Sequence, residues 1–247
     1  MAGHSHSANI AVRKNAQDKA RARLFTKLMK EVYVAVKMGG PDPESNSRLR
    51  AAITRAKAQS VPKDKILRAI KKSEGSADDA NFEETIMEGY GPGGSAVLVR
   101  CLTDNRNRTA ANIRHAFAKH GGNFGTSGCV SYMFQRKGVI FITNGDEDEV
   151  MMAALDAGAE DVAVEDGGFE VLCDPDDFEA CLDQLKDVFE FSTAEVMMIP
   201  DTRVSVAGDD ATRFLKMLEA LNDDGDVQAI HHNAEIATDA LVDFAGS

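Results

Sequence analysis

The 247-residue chain contains no tryptophan, and aromatic residues make up only 6% of it. A surface that holds single strands by stacking needs a series of aromatic platforms, so this composition disfavours that mode of binding. The four cysteines, Cys101, Cys129, Cys173 and Cys181, stand in separate apolar contexts and form no Cys-x-x-Cys pair. Neither a zinc knuckle nor a disulfide framework is indicated, and buried thiols are the ordinary reading. No apolar run approaches the roughly 18 to 20 residues that a membrane span needs, and no basic region followed by an apolar stretch opens the chain. The expected location is the cytoplasm, with no membrane partner.

Catalytic and metal signatures are also missing. No Ser/His/Asp pattern, nucleophile elbow or paired-carboxylate motif stands out. His231 and His232 would point to opposite faces of a strand, and His115 and His120 lie five apart on a helix, so neither pair suits one ion. His4 gives the extreme N-terminus an incidental Cu(II) or Ni(II) chelating capacity and nothing more. The acidic runs Asp146 to Glu149 and Asp174, Asp176 and Asp177 precede helices, where the macrodipole accounts for them without calcium. The expectation is a chain that is no enzyme and holds neither metal nor cofactor.

What the sequence does have is segregated charge. Residues 1 to 75 carry 17 Lys and Arg against 6 Asp and Glu, whereas residues 76 to 247 carry 11 against 34. The whole-chain pI near 5.0 therefore conceals a cationic end. Because fields from exposed charges fade over roughly 10 Å at 0.1 M salt, that end can attract a polyanion while the rest repels it.

Three amphipathic helices account for the basic segment. The first sets Leu24, Leu28, Val32 and Val36 on one i, i+4 row and ends at Gly39, Gly40, Pro41 and Pro43. Ser47 reads as the N-cap of the second, whose apolar side is Leu49, Ala52, Ile53 and Ala56. Pro62 suits the first turn of the third, with Ile66, Leu67 and Ile70 facing inward. A hinge is expected at Ser76 to Asn81, beyond which the periodicity becomes extended.

Strands are predicted at 83 to 90, 96 to 102 and about 129 to 135, with a helix at 106 to 119 and a hairpin turn at Gly91 to Gly94 that lacks the spacing and lysine of a phosphate loop. From 138 to 199 the order is β-α-β-β-α-β, the split ferredoxin-like unit, turning at Asp166-Gly167-Gly168. A strand at 203 to 207, a helix at 209 to 221 and a strand at 227 to 232 complete a second such set with the pieces between 96 and 135. The expected fold is α+β: a basic three-helix domain over 1–78, a discontinuous ferredoxin-like α/β domain over 79–136 plus 201–247, and an acidic ferredoxin-like domain over 137–200 inserted in it.

Several segments resemble the YebC family. They are Met1-Ala2-Gly3-His4-Ser5, Phe25-Thr26-Lys27-Leu28, Pro62-Lys63-Asp64-Lys65-Ile66, Glu88 to Gly94, Leu102 to Thr109, Arg114-His115-Ala116-Phe117, Gly121-Gly122-Asn123, Arg136 to Ile140 and Asp226-Val227-Gln228. The similarity runs in order along nearly the whole chain. It implies a three-domain fold and a role in gene expression, either binding promoter DNA or working at the ribosome to ease synthesis of proline-rich stretches; mitochondrial relatives are translational activators. The family's usual opening has Lys, Trp, Lys and His where this chain has His6, Ser7, Ala11 and Val12, while Arg13 and Lys14 match.

The expected interface is a phosphate-binding set. From the first helix it takes Arg13, Lys14, Lys19, Arg21, Arg23 and Lys27. The second contributes Arg48, and the third contributes Lys63, Lys65, Arg68, Lys71 and Lys72. Arg106, Arg108 and Arg114, near a helix start that also favours anions, either join this set or form an internal cap with salt bridges. The expected partner is ribosomal RNA or tRNA, with promoter DNA as the alternative and ribosomal proteins as further contacts, and the expected state is a monomer.

Overall fold

The computed structural model describes residues 4–75, 82–165 and 167–236, with side chains described from residue 21 onward. The expected hinge at 76–81 and the turn residue Asp166 lie outside the described residues. Helices α1 (His4–Gly39), α2 (Ser47–Ala58) and α3 (Lys63–Gly75) come first, followed by β1 (Glu83–Tyr90), β2 (Ala96–Thr103), α4 (Arg106–Lys119) and β3 (Asn123–Phe124). Next come β4 (Phe134–Ile142), α5 (Glu147–Asp156), β5 (Asp161–Glu165), β6 (Gly168–Cys173), α6 (Phe178–Leu185) and β7 (Phe191–Pro200). The described chain closes with β8 (Val204–Val206), α7 (Gly208–Asp223), β9 (Val227–His232) and β10 (Ala234–Ile236). The fold is α+β: helices, then strand-rich regions with sheets dominated by antiparallel pairing.

The contacts divide the chain into two compact units. One comprises 1–87, 99–119 and 215–230, and the other 88–98, 120–214 and 231–247.

In the first unit the three helical stripes bury one another as their periodicity predicts. Val32, Ala35, Val36, Leu49 and Ala52 form one buried cluster, Ala56, Val61 and Ile66 another, and Met29, Ile53 and Ile70 pack against both. Two expected core residues do not join them: Leu24, at the head of the predicted row, stays 37% exposed, and Leu67, expected to face inward from α3, stays 45% exposed.

Asn46 is the N-cap of α2, in place of the Ser47 expected. Its Oδ1 accepts from Leu49 N at 3.0 Å while its Nδ2 donates to the carbonyls of Ala35 at 2.7 Å and Gly40 at 2.8 Å. A hydroxyl at this corner has too short a reach and too few donors to bind both chain segments, which is why the amide takes the position. Gly40, with φ of +86°, supplies the left-handed residue that ends α1.

In the second unit β4 to β7 form a four-stranded antiparallel sheet in the order β5-β6-β4-β7, with Ile140 opposite Val171 on one side and Ala194 on the other. That order is the one a β-α-β-β-α-β element sequence generates when it folds as a split unit. Its helix-facing core is Ile140, Ile142, Val171 and Cys173 beneath Val150, Ala154, Phe178, Cys181 and Leu185.

Two expectations about strands are corrected. The strand expected at about 129 to 135 is a loop and a 3-10 turn (Ser131–Met133), and extended pairing starts only at Phe134. The cause is Glu88, whose buried carboxylate accepts the N–H groups of Gly128, Val130 and Ser131 at 2.8 to 2.9 Å and so removes them from any ladder.

The second correction concerns 203 to 207. β8 pairs in parallel with β10, whereas the other four-stranded sheet has the order β3-β1-β2-β9, with β1 in the position that element order gave to 203 to 207. Asn233 decides the pairing: its backbone carbonyl accepts from Val204 N at 2.8 Å and its Oδ1 from Ala96 N at 2.7 Å.

Candidate nucleic-acid interface

One side of α1 is committed to the chain itself. Arg23 pairs with Asp223, and the Lys27 ammonium donates to the Asn222 carbonyl at 2.7 Å. Burial lowers the pKa of Lys27, and the nearby Asp224 and Asp223 offset this only in part. Lys30 reaches Asp226 at 2.6 Å and lies 5.0 Å from the centre of the Phe82 ring.

Asp226 also receives Thr103 Oγ1 at 3.1 Å, Arg108 Nη2 at 2.8 Å and Thr109 Oγ1 at 2.7 Å. Burial would push its carboxyl up, but Arg108, Lys30 and Thr109 together hold it well below the usual carboxylate range. Glu31 plays a matching role on the other flank, taking Arg48 at 3.2 Å and Arg100 at 3.0 Å, while Arg48 also pairs with Glu84. Burial opposes ionisation at Glu31 as well, and the two guanidinium groups outweigh it.

The loop before α4 takes the internal alternative for Arg108. Asn105 Oδ1 caps the helix by accepting Arg108 N at 3.0 Å, and the Arg108 side chain bridges Asp104 at 2.7 Å and Asp226. The hydrogen bonds it donates to Asp226 and Asp104 raise its pKa further. Arg106 and Arg114 are exposed on the same helix. Of the expected interface, Arg23, Lys27, Arg48 and Arg108 thus hold the first unit together.

α3 is arranged differently. Ile66 and Ser73 are buried, with Ala69 and Ile70 partly buried beside them, so 3.6-residue periodicity turns Lys63, Arg68, Lys71 and Lys72 toward solvent. Among the described residues none of these four lies within ion-pair distance of a carboxylate. Lys65 lies 5.3 Å and Arg21 5.2 Å from the centre of the Phe25 ring, so the start of α3 and the outer part of α1 share one aromatic anchor for two cations.

Arg55 and Lys57, exposed in the last turn of α2 and without a described ion pair, extend the unpaired set beyond the residues expected. Their signal in the sequence was the shortage of acids in the first 75 residues, although a helix C-terminus already favours cations at those positions. Arg13, Lys14 and Lys19 lie outside the residues whose side chains are described.

The remaining candidates stay structural. Gly91 to Gly94 is a turn in which Gly93, with φ of +72°, faces Val206 so closely that a Cβ would come within 3.1 Å of it. Burial pushes the Cys101 and Cys173 thiols up to about 12, far from thiolate reactivity at neutral pH. Among the described residues no group of three or more His, Cys, Asp and Glu is placed to hold a metal ion. No helix among them is long and apolar enough to cross a membrane.

The arrangement has close counterparts. Residues 5–76 match the family model described as the TACO1/YebC protein N-terminal domain, and residues 82–234 match the one described as the TACO1/YebC second and third domain. A probable transcriptional regulatory protein of Geobacillus kaustophilus is 52% identical over 240 residues, spanning 95% of this chain and 98% of that protein. One from Clostridium novyi is 49% identical over 239 residues, spanning 95% and 97%. The crystal structure of a conserved hypothetical protein from Aquifex aeolicus superimposes with a TM-score of 0.78 at 42% identity, covering 88% of this chain and 91% of that one. With both family models matched in order and about half of the aligned positions shared with relatives covered over nearly their whole length, this chain belongs to the TACO1/YebC family.

Proposed function

We propose that the chain is a non-enzymatic regulator of gene expression that acts in the cytoplasm as a monomer and grips the phosphate backbone of RNA at the ribosome. There it aids synthesis of proline-rich stretches. The observation that carries this reading is the unpaired cationic face of α3, Lys63, Arg68, Lys71 and Lys72, continued by Lys65 and Arg21 around Phe25. Charges already neutralised by carboxylates release no counterions from a phosphate polymer, whereas unpaired ones do, and counterion release supplies sequence-independent affinity. The preference for a ribosomal target comes from the likeness to a family with translational activators among its members.

A second reading, a double-stranded DNA-binding transcriptional regulator, is favoured by the names of the Geobacillus and Clostridium relatives. The α3 face offers Lys and Arg but no Asn or Gln of the kind that reads adenine, so it supports affinity more than base discrimination.

Titrating the full-length protein with ribosomal RNA fragments, promoter duplex and random duplex at several salt concentrations separates the two. The first reading expects co-sedimentation with salt-washed ribosomes at moderate salt and a higher yield of proline-rich products on adding the protein back. A preference of at least about 10³ for promoter over random duplex would select the second. Absence of binding to all three polymers would remove both.

A further inference from the structure

The segment 137–200 carries 18 Asp and Glu against two Lys and no Arg, yet it also exposes apolar side chains together. α5 buries Val150 and Ala154 on one side, and on the opposite side Met152 is 68% exposed and Leu155 58% exposed, with Met151 at 38% on the flank. Helical spacing places Asp148, Met152 and Asp156 on one i, i+4 row with Leu155 beside it, so the apolar pair is bracketed by carboxylates. Val188, 58% exposed, precedes Phe189 in the turn between α6 and β7. Phe189 and Val150 both close on Gly145, where a Cβ would meet them at 3.0 and 2.8 Å, which brings that turn and its Asp187 and Glu190 beside the first turn of α5.

Helix stability explains only part of this charge. Glu147, Asp148 and Glu149 complement the positive end of the helix, and Asp146 caps it. Asp156 sits in the last turn, which contains no basic residue and where a carboxylate is disfavoured. Single exposed apolar residues are ordinary, but a methionine and a leucine side by side inside an acidic rim mark a binding surface, and methionine adapts well to varied partners.

We infer that this face docks a basic amphipathic helix of a partner protein, whose apolar anchors cover Met152 and Leu155 while its Lys and Arg meet Asp148, Asp156 and the acids of the neighbouring turn. The density of carboxylates excludes a nucleic acid or an anionic membrane as occupant. Pairing of this face with the same face of a second copy is disfavoured, because each segment carries 18 Asp and Glu against two Lys. This inference stands apart from the nucleic-acid reading, since it uses none of the cations of α3.

The test is fluorescence anisotropy of the full-length protein with two labelled peptides of about 16 residues and identical composition. One repeats Leu at i, i+3, i+4 and i+7 among Lys and Arg, and the other scatters the same Leu around the wheel. The patterned peptide is expected to bind about tenfold more tightly, a difference of about 1.4 kcal/mol. M152S/L155S, changed only at solvent-exposed positions, is expected to erase that preference while leaving RNA binding and the circular dichroism spectrum as they were. D148N/D156N is expected to weaken both peptides and flatten their salt dependence while keeping the preference. Equal affinity for the two peptides would overturn the inference, as would a preference that survives M152S/L155S. So would sedimentation showing that the protein alone pairs through this face and ceases to do so in M152S/L155S.

Discussion

α1 and α3 are both rich in lysine and arginine, and they use them in opposite ways. On α1, Arg23, Lys27 and Lys30 are consumed by Asp223, the Asn222 carbonyl and Asp226, so they behave as adhesive. On α3, Lys63, Arg68, Lys71 and Lys72 meet no carboxylate among the described residues. Composition alone treats the two helices as equivalent. What separates them is whether the facing element supplies acids: α7 and the turn into β9 supply them to α1, and no such pair to α3 is found among the described residues.

The largest expected effect comes from removing the adhesive at its centre. Asp226→Ala removes an acceptor from Lys30, Arg108, Thr103 and Thr109 at once, and loss of one partner from such a buried cluster is expected to cost about 3 kcal/mol in urea unfolding. A loss under about 1 kcal/mol would show that the cluster contributes little.

The same carboxylate gives the comparison a pH signature. Asp226 and Glu31 are both held below their ordinary values of 3.8 and 4.5, so their ionised forms stabilise the folded chain above that range. This stabilisation is lost as pH falls through it toward the lower folded values. Unfolding midpoints measured between pH 7 and pH 3 are expected to drop steeply below about pH 4.5, and less steeply in Asp226→Asn. Parallel curves for the two proteins would contradict that assignment.

On the other side of the comparison, R68Q/K71Q/K72Q is expected to keep the stability of the parent and lose about tenfold or more in RNA affinity at 0.1 M salt. Its slope of log K against log salt should become shallower by about 0.7 for each phosphate contact removed from single-stranded RNA. An unchanged slope would move the grip away from α3. The smallest effect belongs to Arg23→Gln, whose pair with Asp223 is half exposed on both sides. It is expected to change stability by less than about 1 kcal/mol and to leave the salt slope untouched.

How far these differences could be read beforehand depended on the range of the forces involved. α4 and β1 emerged where predicted because their signals are local: Asn105 caps the one, and Gly91 closes the other. The three-helix core was equally legible from the spacing of Val32, Val36, Leu49, Ala52 and Ile66. The stretch from 129 to 133 was misread as the start of a strand because Glu88, which dismantles the ladder there, lies some 40 residues upstream. β8 was assigned to the wrong sheet because element order fixes no neighbours, whereas the two-sided pairing of Asn233 does.

At the interface, the excess of cations was visible but its division was not. Nothing near Lys27 or Arg108 in the sequence announces acceptors at Asn222 and Asp226. Ser47 was read as the cap of α2, and Asn46 takes the position because the second hydrogen-bonding arm of its amide reaches Ala35.

The four side chains that converge on Asp226 come from positions 30, 103, 108 and 109, all made long before it. During synthesis α1 and α4 can coil as soon as they emerge, but the anion they jointly require arrives 117 residues after Thr109. A nascent chain truncated upstream of that aspartate leaves a lysine, an arginine and two threonines facing an empty corner. Closure of this corner therefore waits on the segment that carries the aspartate, however early the helices on either side of it have formed.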